Sequence, residues 1–369
     1  MNRLNSRTIL FITALLFSIT GCIEDNESSP ITSGPFTFVS QELNGISVNE
    51  LVIKGDWIFA ATTNGVYGKK LSAAGSKFLP LGLQKNDVRD IHAFTTSEMI
   101  ASVVNFTSTN TEVKIFKTTN SGKNWNLFET NFGGPDENFR DGLNDFEEVP
   151  GEPNHLYAAG QLVVAKSLDK GKTWTPVWGD WGMAAQPLMT IAVNPLKPDE
   201  LWAGGQGSIE NGYLIKIKND QEEESWYDLV PNPTTVKEIV IDRESPQSIY
   251  VGWEGELSKT TDNGKTWQTL IDASENSDFF FGIGLSPTVS SRIYAGRWIK
   301  GKDQQTLEIY YSDDKGITWQ SNKFLQITKG GVWDLKVTRS GNKDRIFLGL
   351  DKGGVVELIN ESQVSTLLE

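Results

Sequence analysis

Carboxylates return at one position of a repeated pattern in this chain of 369 residues. Short runs that open with an acid and then Leu, Ile or Phe begin at Glu50, Asp90, Asp145, Glu238 and Asp334, and two runs of the same kind carry Thr190 and Gly282 in the acid's place. Acids converging from separate segments can raise one another's pKa, hold a cation, or divide the roles of acid and base. Asp90, Asp145, Glu238 and Asp334 are the candidates for such chemistry. The same placement equally suits a structural task, bonding the backbone of a neighbouring repeat.

Around these acids the sequence supplies groups suited to recognition. Trp181, Trp253, Trp298 and Trp333, with Phe132, Phe139, Phe279 and Phe280, fall on segments expected to form loops near the acid ends. Aromatic groups beside carboxylates suit sugar stacking or a protein anchor. Trp253 and Trp298 have a second reading, as packing between repeats. Arg89, Arg140 and Arg297 complete the binding set, and three segments, 104–112, 129–142 and 297–306, are longer than a connection requires. Other chemistries lack their residues. The two histidines, His92 and His155, belong to no metal pattern, and no phosphate-cradling glycine loop precedes a helix, so neither a metal nor a cofactor is expected.

The elements that must position these groups are announced by a box. It occurs as TTNSGKNW, SLDKGKTW, TTDNGKTW and SDDKGITW, ending at Trp125, Trp174, Trp267 and Trp319, with Asn120, Asp169, Asp262 and Asp314 third in each copy. Asn or Asp can bond nearby backbone, Gly accepts a positive φ, and Trp starts the next strand with a large apolar surface. The box is therefore a hairpin. Its third residues stand 49, 93 and 52 apart, so the doubled gap predicts a worn copy, found as KNDQEEESW ending at Trp226. Before each box come two strand-like runs, such as TIAVNP and LWAGG, rich in β-branched and aromatic residues. Two more units, from Glu50 and from Asp334, keep the strands without the box. Seven units of about 48 residues over 35–369 predict an all-β chain: one seven-bladed propeller of four-stranded antiparallel blades. Its last blade is expected to close with the N-terminal FTFVSQ rather than the C-terminal QVSTLL, because joining both ends removes exposed edges. In that fold the boxes lie on the face opposite the acid column.

The N-terminus reads as export. Arg3 and Arg7 precede the uncharged run 8–19, too short to span a bilayer as a stable helix, and Ile19-Thr20-Gly21-Cys22 follows as a lipobox. Residues 1–21 are thus expected to be a lipoprotein signal peptide, and 22–34 a polar tether starting at a lipidated Cys22, the only cysteine. This arrangement resembles a bacterial lipoprotein, and Ile23 after the cysteine implies the outer membrane. Loss of Arg3 and Arg7 would take the formal charge from −13 to −15, which makes nucleic acid a poor partner.

The boxes, with NPLKPDELWAGG and IYVGWEGELSKTTDNGKTW, resemble the Asp-box or BNR-repeat propeller superfamily over 35–369. That superfamily includes sialidases, xyloglucan-hydrolysing enzymes, sortilin-type receptors and the photosystem II assembly and stability factor. The Arg-Ile-Pro motif and Tyr-Glu pair that a sialidase implies are absent. Xyloglucan hydrolases imply two propellers, and this chain has one; the assembly factor resembles it in size and blade number. The expectation is a non-catalytic scaffold for an envelope protein or glycan, tethered to the membrane. The alternative is a glycan-active enzyme using two of the four candidate acids.

Overall fold

The computed structural model describes residues 32–106, 111–135, 141–161, 163–182, 187–207, 212–226, 235–273 and 277–362. Within them the chain forms strands and no helix, arranged in seven antiparallel sheets. Blades 1 to 7 have as innermost strands Val48–Lys54, Val88–Ala93, Asp145–Glu148, Leu188–Val193, Glu238–Ile241, Asp278–Leu285 and Val332–Ser340. The chain then steps outward through three more strands in each of blades 1 to 6. In blade 7 the fourth strand is the N-terminal Phe36–Glu42, paired with Gly354–Asn360, as expected from edge removal; residues 363–368 lie outside the described residues. The sheet begins at Thr32, earlier than the expected boundary at 35. Thr32 and Ser33 pair back on Thr37 and Phe36 through a turn in which Gly34 takes φ 57°. Cys22 and the signal segment lie outside the described residues.

The core is a set of seams. Every apolar cluster draws on two adjacent blades: Phe59 and Val66 of blade 1 with Ile91 and Met99 of blade 2, for example, or Leu257 of blade 5 with Phe280 of blade 6. Close approach at the seams explains the glycines that end the second strands. A Cβ on Gly252 would stand 1.9 Å from the Phe280 carbonyl oxygen of the next blade, and one on Gly349 would stand 2.9 Å from Val48. The seam between blades 7 and 1 is also ionic. Buried Lys69 of blade 1 reaches Glu42 at 2.8 Å and Glu357 at 2.6 Å, both in blade 7, and Arg345 holds the other oxygen of Glu357 at 2.7 Å. Removing one member of such a buried set strands the rest without a countercharge.

The four boxes are hairpins between third and fourth strands. Their side-chain bonds close the turn: the Asp169 carboxylate accepts from the Thr173 amide at 2.8 Å and the Thr173 hydroxyl at 2.6 Å, four residues on, while the Gly171 amide donates to Ser167 Oγ. Two successive left-handed residues, Lys170 (φ 60°) and Gly171 (φ 82°), make the turn. The tryptophans pack into the seam with the preceding blade, Trp174 against Phe132 and Phe146 and Trp125 with its ring N–H on the Leu81 carbonyl. The worn copy differs in kind. Asn219 and Asp220 (φ 51° and 60°) form a two-residue turn, and Trp226 ends its strand instead of starting it, stacking on Trp202 at 5.2 Å. Asp220 serves as a tie to the preceding blade, accepting from Tyr157 and Lys166.

Candidate functional site

The acid column holds its register in every blade. Glu50, Asp90, Asp145, Thr190, Glu238, Gly282 and Asp334 pair with Ala61, Ser102, Ala159, Gly204, Gly252, Gly296 and Gly349, the equivalent positions of the second strands. Three of the acids are engaged in holding blades together. The Asp90 carboxylate accepts from the Phe146 amide of blade 3 at 2.6 Å, Asp145 from Ile191 of blade 4 at 2.7 Å, and Asp334 from Leu51 of blade 1 at 2.6 Å. Each bond ties an inner strand to its neighbour, so the candidates for catalysis are largely bound to backbone. Glu238 is different: its side chain has no hydrogen bond or ion pair among the described residues.

Inside the column runs the central channel, a cavity of about 910 Å³. Bulges interrupt the inner strands of blades 1, 2, 4, 6 and 7 next to the column, and a bulge re-aims side chains. The residue just before each column position also lines the channel: Asn49, Arg89, Met189, Phe281 and Trp333 at the bulges, and Asn144 and Lys237 immediately ahead of the unbulged strands of blades 3 and 5. This rim has two halves. On blades 1 to 3 it is polar, with the Asn49 side-chain amide on Asp87 and the Val88 carbonyl, Arg89 3.5 Å from Asp87, and Asn144 on the Leu188 carbonyl. On blades 6 and 7 it is aromatic. Trp298 lies against Phe279 and Phe281, with ring centres 5.3 and 5.8 Å away, and meets Trp333 edge to face at 6.0 Å.

Deeper in the channel the charges are set against each other. Lys336 bridges Glu50 at 2.8 Å and Asp334 at 3.0 Å, and these acids hold its ammonium well above the usual lysine range. Burial, reinforced by Asp334, pushes Glu50 up to about 8. Burial and the charge of Asp145 push Glu147 to about 8 as well; the Glu147 side chain has no hydrogen bond or ion pair among the described residues. Asp145 rises to about 6, and Asp90 and Glu238 rise well above the carboxylate range, burial being the leading cause in each. Near the far end, His92 of blade 2 and Lys54 of blade 1 share the Glu148 carboxylate at 3.0 and 3.1 Å, and the pair lowers its pKa. No group of three or more acid, histidine or cysteine ligands suited to a metal occurs among the described residues.

The remaining sequence candidates are scattered. Trp253 is 3% exposed and packs in the seam of blades 4 and 5 near Trp267, so it is core rather than a binding group. Arg297 is spent on Asp278 at 2.9 Å and Glu308 at 2.6 Å within blade 6. Phe279 and Phe280 belong to a strand, not a loop, and are buried. Trp181 and Phe132 pack together at the seam of blades 2 and 3, 5.0 Å between centres, beside Asp141, which burial raises to about 6. Arg140 and Phe139 lie outside the described residues. Absent from the sequence candidates are Lys237, Phe281, Glu147 and Lys336. A period of two places Phe281 on the opposite side of the strand from its column position, and the bulge reverses that; Lys237 lies just ahead of its strand, and Glu147 and Lys336 share the acids' side two residues on.

The chain can be set beside known proteins on this geometry. Residues 310–321, the fourth box, match the BNR/Asp-box repeat. Over 155 residues the chain is 30% identical to a probable oligoxyloglucan-reducing end-specific xyloglucanase of Neosartorya fischeri, a match covering 38% of this chain and 19% of that protein. Its fold is similar to that of the GH74 xyloglucanase from Xanthomonas campestris, with a TM-score of 0.67 and 12% identity over 90% of this chain and 54% of that one. YCF48 from Cyanidioschyzon merolae is similar too, with a TM-score of 0.59 and 11% identity over 87% of this chain and 98% of that one. The chain thus spans about a fifth of the curated relative and about half of the GH74 structure. At these identities the solved structures speak for the fold, and with the repeat match they make this chain a seven-bladed β-propeller built on BNR/Asp-box repeats.

Proposed function

We propose that this protein is a non-catalytic binding module of the bacterial cell envelope, anchored through a lipid on Cys22 in the outer membrane, that takes up a partner at the rim of its channel. The observation that carries this reading is the engagement of the candidate acids: Asp90, Asp145 and Asp334 are bound to the backbone of the next blade, and Glu50 to Lys336. Hydrolysis of a glycoside needs one carboxyl protonated and a second ionised. The two without partners among the described residues, Glu147 and Glu238, are both pushed toward the neutral form, which makes two acids and no base. What the rim offers is a half-exposed aromatic surface, Trp298 and Trp333, of the kind that anchors a polypeptide or stacks on a sugar. The YCF48 propeller, solved with a D1 peptide bound, is an instance of the peptide-binding use of this fold.

A second reading, glycan hydrolysis, is favoured by the stretch of identity to the xyloglucanase. One pair of measurements separates the two. Purified protein incubated with xyloglucan and a panel of aryl glycosides is expected to release no product, while a specific envelope partner stays bound to it and is released by Trp298→Ala or Trp333→Ala. Turnover that disappears in Asp90→Asn or Glu238→Gln would establish an enzyme and overturn the scaffold.

A further inference from the structure

We propose that Lys237 is a nucleophilic amine that captures the carbonyl carbon of an aldehyde or open-chain reducing sugar at the channel rim as a reversible imine. The other lysines of the channel are committed to carboxylates, Lys54 to Glu148 and Lys336 to Glu50 and Asp334. Lys237 has no carboxylate within ion-pair distance among the described residues. Its ammonium donates one long bond, 3.3 Å, across the channel to the Trp333 carbonyl, and lies over the rings of Phe281 at 5.0 Å and Trp333 at 5.2 Å. Two of its three donors are left without a protein acceptor among the described residues. Burial lowers its pKa, while the charges of Glu50, Asp334 and Glu238 pull the other way. The ring faces favour the ammonium and burial favours the neutral amine, the form with a lone pair to donate, and with no carboxylate salt bridge to break that amine is available to a carbonyl.

The chemistry balances without an oxidant or reductant. The nitrogen lone pair forms the C–N bond as the carbonyl π pair moves to oxygen; nitrogen loses a proton, oxygen gains one, and the carbinolamine results. Protonation of its hydroxyl and departure as water leaves a protonated C=N bond, and loss of the remaining nitrogen proton returns the one donated, so amine and aldehyde become imine and water. Glu50 lines the same cavity with one carboxyl oxygen on Lys336 and, with its carboxyl at about 8, can carry a proton on the other near neutral pH. Trp333 and Trp298 flank the site with ring faces on which a sugar can lie. The inference rests on the binding reading above only for the route by which the carbonyl arrives.

The test is reductive trapping on the full chain, using glyceraldehyde and cyanoborohydride at pH 7 for short times, with sites mapped by mass spectrometry. Lys237 is expected to be labelled about tenfold faster than exposed Lys265 and Lys302. Trp333→Ala, which rehydrates the amine, is expected to bring the rate down toward theirs, and Lys237→Arg to remove the fast site while leaving the circular-dichroism spectrum unchanged. Labelling of Lys237 no faster than those two lysines overturns the proposal, whatever partner binding shows. Fast labelling with partner binding indifferent to Trp298→Ala instead sinks the binding reading and leaves the reactive amine standing.

Discussion

Asp262 and Glu147 are carboxylates in the same propeller, held in opposite surroundings. Asp262, in a box turn, takes the hydroxyl and the amide of Thr266 at 2.6 and 2.8 Å, and these donors hold it down at about 2. Glu147, in the channel, receives no donor among the described residues and is pushed up to about 8 by burial and by Asp145. The first is an ion built into a turn. The second is an acid held neutral in a wall. Repetition follows the same division. Box residues recur because each must make one local hairpin, whereas the channel residues differ from blade to blade because seven different side chains share one space.

This contrast can be attacked from its structural side first. Trp174→Ala, in a box tryptophan 3% exposed, is expected to cost about 3–5 kcal/mol in chemical unfolding. Partner affinity per folded molecule should remain. If affinity fell while stability held, the boxes would not be merely structural. Asp169→Ala, which removes the acceptor for the Thr173 amide and hydroxyl, is expected to cost about 1 kcal/mol by the same measurement.

The channel side is tested by pH. A carboxyl whose folded pKa lies above its unfolded value keeps a proton that the unfolded chain releases, so stability falls as pH rises from its ordinary value through about 8. Glu147→Gln carries no such proton. It is expected to match the parent in Tm near pH 4 and to exceed it by about 2–4 °C at pH 8, followed by calorimetry at both pH values. An unchanged difference across that range would place Glu147 with the box acids and erase the comparison.

The strand count, the blade order and the N-terminal closure were all legible in the chain, because each depends on local signals: Gly and Asp in turns, β-branched runs, and a spacing that repeats. The acid column was legible for the same reason, and so was the alternative that its members bond the next blade. The channel rim was not. Phe281 and Trp333 precede their column residues by one and alternate to the wrong side on paper, and the bulges next to the column turn them inward, while Lys237 sits just ahead of its strand, where the period of two does not apply. Trp253 misled in the other direction, since an apolar side chain beside a glycine reads alike on a rim and in a seam, and only the neighbouring blade buries it.

What the amino-acid order determined by itself is therefore the ring: seven sheets, six of them with turns and registers set within about 50 residues and the seventh closed by the N-terminal strand. What only the tertiary structure decided is which side chains are left over once the blades have closed. Closure sends the carboxylates of Asp90, Asp145 and Asp334 into backbone bonds across the seams, and leaves Lys237 among rings with no carboxylate within ion-pair distance among the described residues. Those outcomes depend on contacts between residues up to 283 positions apart, which no local pattern encodes.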